Sequence, residues 1–313
     1  MDYISLKLAD LSNEELLILT GPSLSNIKIL EDIYKCDINL RDNVLMFYGN
    51  NNAFEDFKKH INALIMLILG KIEIDENVIR QSYLNIVTYN DTNWQNLVCA
   101  YSFNNKPILY KTYNQYQISS LIDKNDLVFS LGPAGTGKTF ISVLLAYKNY
   151  KNGYVDKIIL TRPAVETGES LGFLPGDLQE KVDPYLSPIY DALYMLFGQE
   201  QTENLKAKKV IEIIPLAYMR GRTLNNAFVI LDEAQNTTPG QMLMFLSRLG
   251  NNSKMIVNGD LTQIDLNLSK TKSGLALANE KLRNIDGIGF VEFKNDDIIR
   301  NRLVKKILER YKI

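Results

Sequence analysis

Leu127-Val-Phe-Ser-Leu-Gly-Pro-Ala-Gly-Thr-Gly-Lys-Thr139 is the stretch whose reading decides the fold. Its first five residues, Leu127–Leu131, are an almost unbroken apolar run and read as a strand. Gly132-Pro133-Ala134-Gly135-Thr136-Gly137-Lys138-Thr139 then matches the spacing G-x-x-x-x-G-K-[ST], and a helix over Phe140–Tyr150 follows. Strand, glycine loop and helix, in that order, are the context that the motif needs. Glycines reach backbone angles closed to other residues, so successive N–H groups can turn inward around an anion. The positive end of the following helix adds to that field. Lys138 brings a mobile cation to the β- and γ-phosphates, and the Thr139 hydroxyl is suited to ligate the metal. The loop therefore implies ATP and Mg²⁺ as cofactors.

Outward from this loop, further apolar runs stand at 157–161, 210–214, 227–231, 254–258 and 289–292, separated by helical segments. Near-continuous apolar strands alternating with helices read as an α/β fold whose mostly parallel sheet is buried on both faces. Ligands of such sheets lie beyond the carboxyl ends of the strands. Phe228-Val-Ile-Leu-Asp232-Glu233 is a strand ending in paired acids. Alone, such an acid reads as a helix N-cap; beside a phosphate loop, Asp232 is the carboxylate that Mg²⁺ needs and Glu233 the group that activates water. Val257-Asn-Gly-Asp-Leu-Thr-Gln263 follows another strand. Gln263 can read the γ-phosphate there, or the segment is a Gly-Asp turn that caps the next helix. Upstream, Gln115 offers one donor and one acceptor, which suits an adenine edge and equally a solvated helix start.

Residues 1–70 have a different, short and mixed pattern, expected to form a small α+β domain. Tyr3–Leu8 alternates like a strand, and Leu16–Thr20 is a second apolar run. Ser23 is placed to cap a helix reaching Tyr34, a hairpin is expected around Asp42-Asn43, and Phe54, Phe57, Ile61, Leu64, Ile65 and Ile68 have helical spacing. Residues 71–106 connect this domain to a larger one over 107–313. Charge is uneven: residues 1–90 carry 8 Lys/Arg against 13 Asp/Glu, while 294–313 carry 7 against 3. A polyanion would meet the second part first. Two cysteines and one histidine cannot build a Cys/His metal site or a disulfide framework, and free thiols suit a reducing, cytoplasmic setting. The run 63–69 is too short to span a bilayer, so no membrane partner is expected.

Taken together, the phosphate loop, Leu-Asp-Glu-Ala-Gln (231–235), Asn-Gly-Asp-Leu-Thr-Gln (258–263), Arg-Gly-Arg-Thr-Leu (220–224) and above all Thr-Arg-Pro-Ala-Val-Glu-Thr-Gly-Glu-Ser-Leu-Gly-Phe-Leu-Pro-Gly-Asp (161–177) resemble the PhoH family. The likeness runs over about residues 10–312 and is closest over 107–270. It implies a RecA-like P-loop NTPase core resembling half of a superfamily 1 helicase, with a KH-like domain in front in some members, hexameric rings in related ones, and a link to RNA metabolism. By the same resemblance Gln115 lies near adenine, Gly132–Thr139 hold phosphates, Asp232 and Glu233 form the Walker B pair, and Gln263 belongs to the third helicase motif. Arg162 and Pro163 match nucleic-acid backbone contacts. Arg300, in Asp-Ile-Ile-Arg (297–300), is a candidate charge-stabilising arginine that a neighbouring subunit could supply. Position 301 is Asn where the family usually has His, and Gly21–Asn26 stands in place of a GXXG loop without matching it.

Arg220 and Arg222 keep two readings, a contact to RNA or subunit phosphates and a surface ion pair. Leu171–Pro188 reads as a flap or as a structural loop. Two functions are compatible with these residues. One is an RNA-stimulated ATPase or helicase-like motor acting on single-stranded RNA or rRNA, assembled as a homo-oligomer, for which the resemblance implies a hexamer. The other is an ATP-gated adaptor that recruits an RNA-processing nuclease without unwinding.

Overall fold

The structure, a computed structural model, describes residues 3–8, 11–72, 74–89, 98–163, 187–263, 273–299 and 310. The chain divides into two units, Met1–Cys99 with Leu109–Tyr113, and Ala100–Ile108 with Asn114–Ile313. In the first, the order is β1 (Ile4–Lys7), α1 (Asn13–Thr20), α2 (Ser25–Tyr34), β2 (Ile38–Arg41), β3 (Val44–Phe47), α3 (Asn51–Leu69) and α4 (Glu76–Tyr89). The strands form an antiparallel sheet in the order β1-β3-β2. Asp42 and Asn43 join β2 to β3 with φ of 48° and 60°, the left-handed pair that a two-residue hairpin favours. Phe57, Ile61, Leu64, Ile65 and Ile68 of α3 are buried as their spacing predicts.

One local expectation changes, the capping role of Ser23. The apolar run at Leu16–Thr20 is the second half of α1, whose start is fixed by Ser12 and Glu15. The Ser12 hydroxyl accepts from the Glu15 N–H at 3.3 Å, and the Glu15 carboxylate accepts from the Ser12 N–H at 2.8 Å. Ser23 does not cap α2. It sits inside a 3-10 turn, Pro22–Leu24, at φ 51°, and α2 begins after Leu24 without a side-chain cap. The side chain that organises the turn is Asn26, which donates to the Ile18 carbonyl at 3.0 Å.

His60 is fully buried in this unit. Its Nε2 lies 2.8 Å from the Ser82 hydroxyl and 3.0 Å from the Ile79 carbonyl, and its Nδ1 lies 3.2 Å from the Tyr34 hydroxyl.

The second unit contains α5 (Tyr113–Lys124), β6 (Leu127–Leu131), α6 (Lys138–Lys151), β7 (Lys157–Arg162), α7 (Ser187–Phe197), α8 (Gln199–Ala207), β8 (Ile211–Pro215), β9 (Ala227–Leu231), α9 (Pro239–Leu246), β10 (Lys254–Gly259), α10 (Gly274–Lys281) and β11 (Ile288–Glu292). Val98–Tyr101 and Pro107–Leu109, β4 and β5, pair as a short ribbon. All six strands expected in the second unit are present, and every pairing among them is parallel, in the order β11-β6-β10-β9-β7-β8. Phe129, Leu131, Val229, Leu231, Met255 and Val257 bury one sheet face against Met242 and Phe245 of α9 and Leu275 of α10. The alternate residues face α6, where Ser142 donates to the Asn258 side chain at 3.0 Å. Helices on both faces explain why the strands read as continuous apolar runs.

Burial pushes the His60 pKa down to about 4, against a backbone hydrogen bond that raises it. Below its ordinary value the unfolded chain takes up a proton that the folded chain refuses. This group's stabilising contribution is thus complete above that value and is lost as pH falls toward 4. Between pH 6.5 and 5 the loss should be about 2 kcal/mol, at ~1.4 kcal/mol per pH unit. Urea unfolding at the two pH values should show it in the native chain, and His60→Gln should lose less.

Candidate functional site

The carboxyl ends of β6, β10, β9 and β7 stand side by side, and each delivers one of the expected motifs. After β6 the chain turns at Gly132, whose φ of 138° and close approach to the Phe293 backbone leave no room for a side chain. The Gly132 N–H is held by the Gly259 carbonyl at 3.0 Å. Gly137, at φ 81°, is the N-cap of α6. A Cβ there would stand 2.7 Å from Gln115 Nε2. Gln115 is buried and donates to the Thr136 carbonyl at 3.0 Å, so it braces the loop as well as bordering it. On another side the Ile299 N–H donates to the Gly135 carbonyl at 2.8 Å. That segment is anchored by buried Asp297, which accepts from Asn114 and from the Lys294 N–H, both at 2.7 Å.

Lys138 Nζ donates to the carbonyls of Gly132 at 2.7 Å and Pro133 at 2.8 Å. Burial draws its pKa down, while the charges of Asp260, Asp232 and Glu233 act in the opposite direction. Those three acids make the loop lysine the centre of a negative cluster. Asp232 is buried, and its burial raises its pKa against the pull of Arg162. Its Oδ1 accepts from the Thr139 hydroxyl at 2.9 Å and from Asn258 at 3.3 Å. A hydroxyl and a carboxylate converging in this way are hard oxygen ligands that fit Mg²⁺, which takes one or two carboxylates and completes its shell with phosphate and water.

Glu233 breaks the strand in the left-handed region, at φ 52° and ψ 41°, a conformation uncommon outside glycine. Its Oε1 accepts from Arg162 Nη2 at 2.6 Å, and its Oε2 from Gln235 Nε2 at 2.6 Å. Buried Gln235 also accepts from the Asp260 N–H at 3.1 Å. Asp260 is buried; its Oδ1 accepts from the Thr262 N–H and hydroxyl, and its Oδ2 has no partner among the described residues. Gln263 follows in this turn with its side chain exposed.

Arg162, Asp232, Glu233, Lys138 and Thr139 are thus gathered in one place. Arg222 is held elsewhere: its Nη2 contacts both Glu212 oxygens, at 3.0 and 2.9 Å, near the start of β8, and Arg220 is exposed. Arg300, most of the run 161–177 and most of the expected flap lie outside the described residues. The roles of Gln235, Asn258 and Asp260 were not assigned from the sequence, although all three stand inside the quoted motifs. The signal was their position near strand ends, but neither an amide nor a carboxylate carries a mark of its partner.

Residues 107–312 match the family model described as PhoH-like protein. The chain is 48% identical over 302 residues to a PhoH-like protein of Bacillus subtilis (strain 168), covering 95% of this chain and 94% of that one. It is 44% identical over 295 residues to a PhoH-like protein of Mycobacterium tuberculosis (strain ATCC 25618 / H37Rv), covering 94% and 84%. It is also 44% identical over 207 residues to Protein PhoH of Escherichia coli (strain K12), covering 66% and 58%.

The tight fit at Gly137 generates a prediction. Gly137→Ala should force Gln115 away from the Thr136 carbonyl and strain the left-handed N-cap. The thermal unfolding midpoint should fall by about 2–4 °C for a strain of about 1 kcal/mol. Calorimetric titration should show weaker nucleotide binding by the folded variant.

Proposed function

The chain belongs to the PhoH-like family, and from that premise we propose that it is an ATP-binding, ATP-hydrolysing protein acting in RNA metabolism. The observation that carries this reading is the convergence of the Gly132–Thr139 loop with Asp232 and Glu233 at neighbouring strand ends. In this reading the loop N–H groups and Lys138 receive the triphosphate, and Lys138 turns from the carbonyls of Gly132 and Pro133 to do so. Thr139 and Asp232 would hold Mg²⁺, which would supply positive charge against the triphosphate. Glu233 orients the attacking water and accepts its proton. Gln263, on the turn after β10, senses the γ-phosphate, and Gln115 borders the adenine while bracing the loop.

The protein acts as a homo-oligomer, proposed as a hexamer, in which Arg300 reaches a neighbour's triphosphate. RNA is the proposed partner, single-stranded or ribosomal, with Arg162 as the first phosphate contact and Arg220 as an exposed second. Arg222 is the weaker candidate because Glu212 already neutralises it. The domain limits 1–70, 71–106 and 107–313, the KH-like character of the first domain and a cytoplasmic location belong to the same proposal. Among the described residues no helix is long and apolar enough to cross a membrane. The alternative, an ATP-gated adaptor for an RNA-processing nuclease, is favoured by the acidic balance of residues 1–90, which repels phosphates.

Lys138→Ala should abolish nucleotide binding in a calorimetric titration; unchanged affinity would remove the loop from the site. Glu233→Gln should retain ATP and lose turnover by about 10²-fold or more, the scale of a lost general base. Steady-state hydrolysis measured with and without single-stranded RNA separates the two readings. Stimulation supports the RNA-coupled ATPase, and a slow rate indifferent to RNA supports the adaptor.

A further inference from the structure

Arg162 does more than face outward from a strand end. Its side chain is 21% exposed, against 5% for Asp232 and 40% for Glu233, and it points at both carboxylates. Nη2 lies 2.6 Å from Glu233 Oε1 and 3.7 Å from Asp232 Oδ2. The opposite oxygen of Glu233 is taken by Gln235 at 2.6 Å. Both Glu233 oxygens therefore accept short bonds from the protein itself. A general base must present an oxygen to water at roughly 2.6–3.2 Å in a productive direction. Gln235 is fixed, because its own carbonyl oxygen is held by the Asp260 N–H. Of the two partners Arg162 is the partly exposed one and Gln235 the buried one.

We infer that Arg162 is a positioning residue that holds Glu233 away from the attacking water, and that a nucleic-acid phosphate taking Arg162 releases it. This rests on the hydrolase and RNA-contact readings above. The chemistry favours the exchange. A guanidinium pairs with a phosphodiester through two parallel bonds as well as it pairs with a carboxylate. Arg162 ends β7 beside Asp232, whose N–H bonds the Thr161 carbonyl at 2.9 Å. Withdrawal of the guanidinium thus acts directly on the neighbouring strand end. Glu233 sits on a left-handed residue between strand and 3-10 turn, so its orientation depends on its side-chain partners rather than on a regular helix or strand.

The test compares ATP turnover of the full chain with Arg162→Ala, Arg162→Gln and Arg162→Lys, each with and without poly(U). Both neutral variants should raise kcat in the absence of RNA by roughly three- to tenfold, the Boltzmann factor of a partly exposed ion pair. KM for ATP should be unchanged, and poly(U) should stimulate them no further. Arg162→Lys should raise the unstimulated rate less than the neutral variants do, because an ammonium keeps the charge opposite Glu233 without the guanidinium fork. Arg162→Gln covers the case in which the alanine variant does not fold. An unstimulated kcat at or below the native value in both neutral variants, with the native chain active, overturns the restraint alone. Native turnover no greater than that of Lys138→Ala removes the hydrolase reading and the restraint with it.

Discussion

Asp232 is a carboxylate buried at the end of the most enclosed strand, and such a charge is tolerated only if it is paired and hydrogen-bonded. Thr139 comes to it from α6, Asn258 from β10 and Arg162 from β7. One buried charge therefore ties the helix after the phosphate loop to two neighbouring strands. Ser142, one turn along α6, holds the far side of Asn258 and keeps its amide aimed at the acid. Loss of any one partner would leave an underpaired charge where water does not reach, so the residues around Asp232 are constrained together.

The sheet order gives this arrangement its place. β10 lies between β6 and β9, although it follows both in the chain. The crossing places the Asn258–Gln263 turn between the phosphate loop and the paired acids. Phe129 and Phe290 stack across β6 and β11 with ring centroids 4.7 Å apart, and apolar layers on both faces hold the strands in register. The rigid sheet then presents loops and turns whose backbone is irregular: Gly132 and Gly137 at positive φ, and Glu233 left-handed without the excuse of being glycine. Strain of this kind persists where the surroundings over-determine it, and here Arg162 and Gln235 do so.

The phosphate loop is also bound to distant parts of its own unit. Gln115 supports it from α5, and Ile299 supports it from the segment after β11. Nucleotide binding that shifts the loop must be felt at both. The buried Asp297–Asn114 contact joins the helix before the sheet to the segment after β11.

Much of this was legible in the residues themselves. Apolar runs marked all six parallel strands to within one residue, because strands buried on both faces have no polar alternation to blur them. The spacing from Gly132 to Thr139 and the acids after Leu231 pointed to the candidate site, because backbone angles and ligand chemistry demand those residue types at those intervals. Other features depended on tertiary contacts. Ser12 caps α1 whereas Ser23 does not cap α2, since a cap depends on where the helix begins and Gly21 turns the chain first. Gln115 found a loop carbonyl, Arg222 found Glu212, and Arg162 found Glu233, which lies 71 residues away. Periodicity and motif spacing are local and survive in the sequence alone. Which partner a long polar side chain takes is settled by strand order and by the acids that order brings within reach, and only the tertiary structure decides that.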